Sequence, residues 1–453
     1  MVPAVPESPG RAHQRADELD ASRHFLGPSE RHSGIFQMTS STAAPVRSNA
    51  LPMLGLIALS ISVFLSITSE MMPTGLLPEM SADLGVSESQ VGLLVTIFAF
   101  TVVLTSTGMI RVTMRLPRHT LMVAILLTLA LCNVLTALLP SYEAIVFARI
   151  LGGVAHGMFW SMTPAYASRL VAPHLIGRAI TIALTGGTFA MILGVPLGTA
   201  LGHAVGWRTA FGAVAIALAL GAVAVYFFLP KVAQDPITPK RERSQNGGVK
   251  EPGSALPVAL ICIMVALTMT GYYAFFTYIT PFFTGWVGVP PELVSVALLG
   301  FGAFGAISLF FTGGIFSRLP LPGLTIGLVG CATAVSLIAM TAGSPILAAA
   351  AMAVWGFCFG LIPPLAQTLM LRAAAPEHRD TAGAFYTTAF NIGIGGGALI
   401  GGILLSAYGL GALPILSAVL TGAGLVLFLF ARGRVSAAVE RHSPSVESEK
   451  ISA

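Results

Sequence analysis

From Leu51 onward the chain alternates long apolar runs with short polar breaks. The runs near 51–78, 89–110, 120–139, 143–168, 177–203 and 208–229 make one set, and those near 256–282, 292–316, 323–342, 345–371, 380–406 and 411–431 make a second. A hydrocarbon layer about 30 Å thick takes roughly 20 residues of helix to cross. Each run therefore predicts one span, and the fold class predicted is an all-α membrane protein with twelve transmembrane helices in two pseudo-symmetric six-helix halves, 50–229 and 256–431. Residues 1–49 are polar without helical or strand period and predict a disordered N-terminal segment, as do 432–453 at the other end. Residues 230–255, rich in Lys, Arg, Pro and Gly, read as a linker between halves. Met38 stands as an alternative start. The run from Leu51 follows too long a polar lead, without a small-residue cleavage site, to be a removed signal peptide, and reads as the first span.

Charge orients the spans. Of 24 Lys+Arg, all but Arg149 and Arg208 fall in the termini or in alternate connections, those marked by Arg111, Arg115 and Arg118, by Arg169 and Arg178, by Lys231 to Lys250, by Arg318, and by Arg372 and Arg379. The opposite connections carry Glu79, Asp83, Glu88 and Glu292. The positive-inside rule then predicts both termini, and the linker, on the cytoplasmic side of a bacterial inner membrane. The halves also repeat: Pro281 lies 203 residues after Pro78, and the same offset joins Arg115-Leu116-Pro117 to Arg318-Leu319-Pro320, Gly153 to Gly356, Gly157 to Gly360, and Gly194 and Gly198 to Gly397 and Gly401. A six-helix unit duplicated in parallel orientation is the plan of a transporter whose halves rock about a central site.

Composition narrows the class. The chain is 55% apolar and 9% charged, against about a quarter charged in soluble proteins. The net charge of +5 comes from residues between apolar runs, not from a basic patch interleaved with aromatics, so nucleic acid is not an expected partner. Cys132, Cys262, Cys331 and Cys358 sit in four separate runs, without the spacing of a disulfide framework or a metal site. Gly393-Ile394-Gly395-Gly396-Gly397 follows no strand and is not a dinucleotide loop. The sequence holds no catalytic triad, P-loop or metal motif, so the expectation is no enzyme, no cofactor and no ATP-driven step.

The chemistry concentrates in spans one and four. Glu70 is the one acidic residue deep in a predicted span, about 14 Å from the level of Glu79, and a charge there is costly enough to be paired or functional. Arg149 enters from the same side to about 10 Å, so the two can pair if their helices are neighbours. A carboxylate so placed either exchanges protons or locks two helices in a static ion pair. Arg149, Gly153, His156, Trp160 and Thr163 share one helical face. His156 titrates near neutral pH in water and is a candidate to share the proton work, to bond a substrate hydroxyl, or to serve structure alone. Trp160 is a candidate ring platform, or core packing. The 203-residue offset sets Tyr273 opposite Glu70, Met352 opposite Arg149 and Phe359 opposite His156, so the second half offers aromatic and polar contacts instead of charge: Tyr273, Phe276, Gln367 and Asn391, with Tyr272, Tyr278 and Tyr386. Gly186, Ala190, Gly194, Gly198 and Gly202 form a small-residue stripe beside Pro196, expected to let span five pack closely and slide against a neighbour at the interface of the halves.

Three stretches carry a resemblance: Thr68-Ser69-Glu70-Met71-Met72-Pro73-Thr74-Gly75-Leu76-Leu77-Pro78, Ala155-His156-Gly157-Met158-Phe159-Trp160-Ser161, and Phe390-Asn391-Ile392-Gly393-Ile394-Gly395. Over about residues 51–431 the chain resembles the major facilitator superfamily, its drug:proton antiporter-1 branch, and within that the bacterial sugar-efflux (arabinose-efflux permease) subfamily. The resemblance implies a cavity lined by spans one and four, matches Arg149 to the fourth-helix arginine motif, and likens Gly194, Pro196 and Gly198 to the exporters' antiporter motif. The family's loop pattern Gly-x-x-x-Asp-Arg-x-Gly-Arg-Arg is not kept: the ten residues from Gly108 to Pro117, and Arg118 after them, contain no acid. Only the loop's basic character carries over. The function implied is secondary, proton-coupled efflux of small molecules such as sugars or drugs by a monomer in the lipid bilayer. Proton symport or facilitated uptake is the alternative within transport, and a non-transporting membrane sensor the alternative outside it.

Overall fold

The computed structural model describes residues 51–113, 116–172, 175–232, 255–375 and 378–442. The segment 1–49, the linker from 233 to 254, Arg115 and the tail from 443 lie outside the described residues. Twelve helices are long and apolar enough to cross a membrane. The first half contributes Met53–Gly75, Glu88–Thr113, Arg118–Leu138, Tyr142–Arg169, a fifth span in three pieces, and Trp207–Phe228. The second contributes Ala255–Phe276, Pro291–Gly313, Pro320–Ala339, Pro345–Ala373, Arg379–Tyr408 and Ala412–His442. The apolar runs thus locate all twelve. The last is the exception: residues 432–442 continue the twelfth helix instead of lacking structure, with Val435 and Ala438 fully buried along one side. Apolar positions three apart give that polar-looking segment a face to bury, which its charge content hides.

Helix ends follow local chemistry. Ser141 caps span four by accepting the Ala144 amide at 3.3 Å. Gly206, at φ 89°, makes the sharp turn from span five to span six. Span five is interrupted by a π-helical turn, Ala190–Gly194, between Ile176–Phe189 and Val195–Val205. Pro196 has no amide hydrogen to return to the carbonyl of Ile192, and the widened turn, in which the Val195 amide reaches Ala190, accommodates that loss.

Span one lies against spans five and six, span two against span four, and span three against spans four and six. The second half repeats this: span seven against eleven and twelve, span eight against ten, and span nine against ten and twelve. The halves meet where span two packs on span eleven and span five on span eight. Hydrogen bonds between them gather at the end carrying the turns after spans one and seven. Thr280 Oγ1 donates to the carbonyls of Thr74 and Gly75 at 3.2 Å, Ser89 Oγ to the carbonyl of Gly402, and Ser406 Oγ to Ser89 Oγ at 2.9 Å. Tyr278, bonded to the Ala398 carbonyl at 2.8 Å, is wedged between Gly92 and Gly402.

The glycine stripe sits elsewhere than expected. Gly186 abuts the backbone of Ser60 and Phe64, Gly194 abuts Thr68, and Gly202 abuts Leu76. All of these neighbours belong to span one or its end, so the stripe packs within the first half. Its opposite side, at Met191 and Ile192, meets Gly302 of span eight. The period-four spacing identified a close contact but carried no information on which neighbour fills it. Gly198 is also the loosest member, with the nearest atom to an added Cβ at 3.5 Å.

Candidate functional site

Spans one and four each bring polar side chains to a buried centre of the first half. Glu70 is buried, as are His156 and Arg149. His156 Nε2 lies 3.3 Å from Glu70 Oε2, and its other nitrogen, Nδ1, shares a 2.8 Å hydrogen bond with Ser66 Oγ. Ser66 stands one helical turn before Glu70, so span one holds both nitrogens of a single imidazole from span four. Among the described residues Glu70 Oε1 has no hydrogen-bond partner.

Arg149 does not form the ion pair expected from its depth. Its Nη1 donates to the carbonyl oxygen of Ser69 at 3.0 Å, and among the described residues Nε and Nη2 have no hydrogen-bond partner. The guanidinium lies over Phe98 at 5.7 Å and Phe211 at 5.3 Å from the ring centroids, so two aromatic faces share the stabilisation of its charge. Depth matching had put both groups at the right level. His156, two turns further along span four than Arg149, takes the position facing the carboxylate. Trp160 follows at 6.1 Å from His156, half-buried, and Phe98 meets the imidazole edge-on at 5.2 Å. Glu70, Arg149, His156 and Trp160 are therefore gathered into one cluster, with Glu70 and Arg149 linked through Ser69.

Beside Arg149 is a cavity of about 10 Å³ lined by Ser69, Asn133, Thr136, Arg149 and Gly152 among others, room for about one water. The position 203 residues after Gly152 is Trp355. Its indole is buried in an aromatic cluster, with centroids 5.3 Å from Tyr272, 5.2 Å from Phe275 and 5.0 Å from Phe301.

The second-half candidates are dispersed. Tyr273 and Phe276 are buried, Tyr273 edge-on to Tyr272 and Phe276 stacked on it at 4.9 Å. Tyr272 in turn stacks on Phe359 at 3.7 Å, and its hydroxyl is buried without a partner. Gln367 is exposed, and the Asn391 amide donates to the Thr387 carbonyl of its own helix at 2.9 Å. Gly194 and Gly198 lie on the span-one face of span five, and Pro196 just after its π turn. Sequence reasoning missed Ser66, Ser69, Asn133 and Phe98. The signal available for Ser66 was its four-residue spacing from Glu70, and for Asn133 an amide inside an otherwise apolar run.

The model of the Major Facilitator Superfamily matches residues 59–394 and 261–452. A chloramphenicol efflux pump of Mycobacterium tuberculosis is 29% identical over 354 residues, covering 76% of this chain and 84% of that protein. A protein of Mannheimia succiniciproducens named "Probable sugar efflux transporter" is 28% identical over 380 residues, covering 82% and 92%. Among solved structures, a bacterial homolog of the human lysosomal transporter Spinster, inward-facing and unoccupied, superposes with a TM-score of 0.68 at 17% identity, over 88% of this chain and 100% of that one. That likeness bears on the fold.

Proposed function

The chain belongs to the Major Facilitator Superfamily as a multi-pass secondary transporter, and from that premise we propose that it exports small uncharged or amphipathic molecules in exchange for protons. The observation that carries the proton coupling is the buried Glu70–His156 pair. A carboxyl and an imidazole 3.3 Å apart, with Ser66 fixing the far nitrogen, form a group that can hold one proton and release it when access changes. Export, with sugars and drugs such as chloramphenicol as the substrate classes to try, draws support from the names of the relatives.

In the same reading the protein works as a monomer in a bacterial inner membrane, its two six-helix halves joined by a cytoplasmic linker and both termini cytoplasmic. That orientation makes the hydrogen-bonded end of the bundle the outer one, so the halves stand closed outward. Trp160, Tyr273 and Phe276 offer rings, and Gln367 and Asn391 amides, to a substrate between the halves. Gly194, which ends the π turn, and Pro196 just after it serve as the hinge region of span five, and the more loosely packed Gly198 lies one turn further along.

The test is accumulation of a chloramphenicol and sugar panel in inverted vesicles with and without an imposed pH gradient. Wild type should accumulate substrate only with the gradient, and Glu70→Gln, folded and inserted, should lose that dependence. Full gradient-driven accumulation by Glu70→Gln would remove Glu70 from the coupling.

A further inference from the structure

Span three supplies no residue to the proton site as read from the sequence, yet it reaches that site through one side chain. Asn133 is buried, and its Nδ2 donates to the Leu129 carbonyl at 2.8 Å and to Ser69 Oγ at 2.7 Å. Ser69 Oγ lies 2.9 Å from Asn133 Oδ1, so the hydroxyl can instead donate to that oxygen. The same residue's carbonyl oxygen accepts Arg149 Nη1 at 3.0 Å. Spans three and four are thus both tied to Ser69, the peptide immediately before Glu70.

This arrangement has a geometric purpose that packing alone does not require. Arg149 has no direct contact with Glu70, and what separates them is the Ser69 peptide. The cation's distance from the carboxyl is therefore set by where that peptide is held. The side chain of Ser69 is anchored by Asn133, and both line the one-water cavity beside the guanidinium. The charged and titratable groups around Glu70 are then His156 in contact and Arg149 behind Ser69, both from span four, and Tyr273 of span seven, near enough to act electrostatically on the carboxyl, while Cys132 of span three stands beside Arg149. Neither helix interior nor lipid offers Ser69 Oγ this second anchor, and an unanchored buried hydroxyl would return to a carbonyl of its own helix.

We propose that Asn133 is a positioning residue for proton exchange: acting through Ser69, it sets the distance between Arg149 and Glu70. The inference rests on the proton-coupled reading of Glu70. It is tested by a double-mutant cycle of Asn133→Leu, Ser69→Ala and the pair together, reading the pH midpoint of gradient-driven accumulation, with thermal unfolding of each sample in detergent and Glu70→Gln alongside. Asn133→Leu should move the midpoint by roughly one pH unit, a tenfold change in apparent proton affinity. Ser69→Ala should move it in the same direction, and the double variant no further than either single one. An unmoved midpoint in folded Asn133→Leu, or shifts that simply add, would overturn the proposal. If Asn133→Leu does not fold, Ser69→Ala decides alone: a moved midpoint supports the linkage, and an unmoved one overturns it. Retained coupling in Glu70→Gln would defeat the underlying reading, whereas a pH-independent Glu70→Gln beside an unshifted Asn133→Leu would defeat this inference by itself.

Discussion

Adding a single methyl group at Gly186 tests whether the close contact of spans one and five sets the geometry of the proton site. A Cβ built there would stand 2.8 Å from the carbonyl carbon of Ser60 and 2.9 Å from the amide nitrogen of Phe64. A comfortable carbon–carbon contact is roughly 3.5 Å, so the shortfall is at least about 0.7 Å. Both obstacles are backbone, and no side-chain rotation relieves them. Span one must retreat from span five, and overpacking of this kind costs about 1–3 kcal/mol. Because span one also carries Ser66 and Glu70, its retreat would lengthen the 3.3 Å contact with His156 towards 4 Å, outside hydrogen-bond range. Gly198→Ala is the control, since the nearest atom there, Met72 Cε, is already at an ordinary 3.5 Å. Gly186→Ala should therefore lower the melting temperature in detergent and depress gradient-driven transport, while Gly198→Ala leaves both near wild type. Equal melting temperatures for the two variants, or a lower one for Gly198→Ala, would refute the argument.

Other outcomes follow from contacts elsewhere in the bundle. Gly92→Ala would drive a Cβ to within 2.6 Å of Tyr278 Cζ, so cysteine probes at the end of the bundle near Ser89 and Ser406 should become more reactive. Unchanged labelling there would mean Tyr278 does not wedge the halves together. Trp355→Ala removes the ring around which Tyr272, Phe275 and Phe301 pack and should cost about 3–5 kcal/mol, measured by denaturation of the purified protein; a loss under about 1 kcal/mol would show the cluster collapsing to fill the gap. Arg208→Ala severs the pairing with Asp83 at 3.0 Å and the stacking on Trp207 at 4.3 Å. It also frees the carbonyls of Ala137 and Leu139, which accept Nη1 at 3.2 and 2.8 Å, and at this half-exposed site the loss should be about 1–2 kcal/mol, with transport unaffected.

What could be read in advance divides by the physics that governs it. The spans are one-dimensional: a membrane needs a certain length of apolar helix, and each run of the sequence met that length on its own. The doubling of the fold was equally local, since a repeat is visible wherever paired positions keep proline, arginine and glycine. Contacts between helices are a different matter. Glu70 and Arg149 lie at matching depths, yet depth along two helices leaves their rotation open, and rotation is what placed His156 against Glu70 and turned Arg149 to the Ser69 carbonyl. For the same reason the glycine stripe announced a close neighbour without naming span one. Asn133 escaped notice because one amide in an apolar run has no period to mark it. Residues 432–442 were misread from composition, their buried Val435 and Ala438 being outnumbered by charged neighbours.

The exchange of Gly152 in one half for Trp355 in the other has a meaning for how a duplicated protein divides its labour. Two copies of one helical unit begin with the same scaffold and the same possible uses. Where the hydrogen of glycine stands, a helix leaves a gap that water can enter and an arginine can remain charged beside it. Where the indole stands, its neighbours are tyrosine and phenylalanine rings. A Cβ at Gly152 would already stand 3.1 Å from the Phe98 ring, so the first half has no room there for the indole around which the second half packs. Each half is thereby committed to its own kind of chemistry, and symmetry of the backbone persists without symmetry of function.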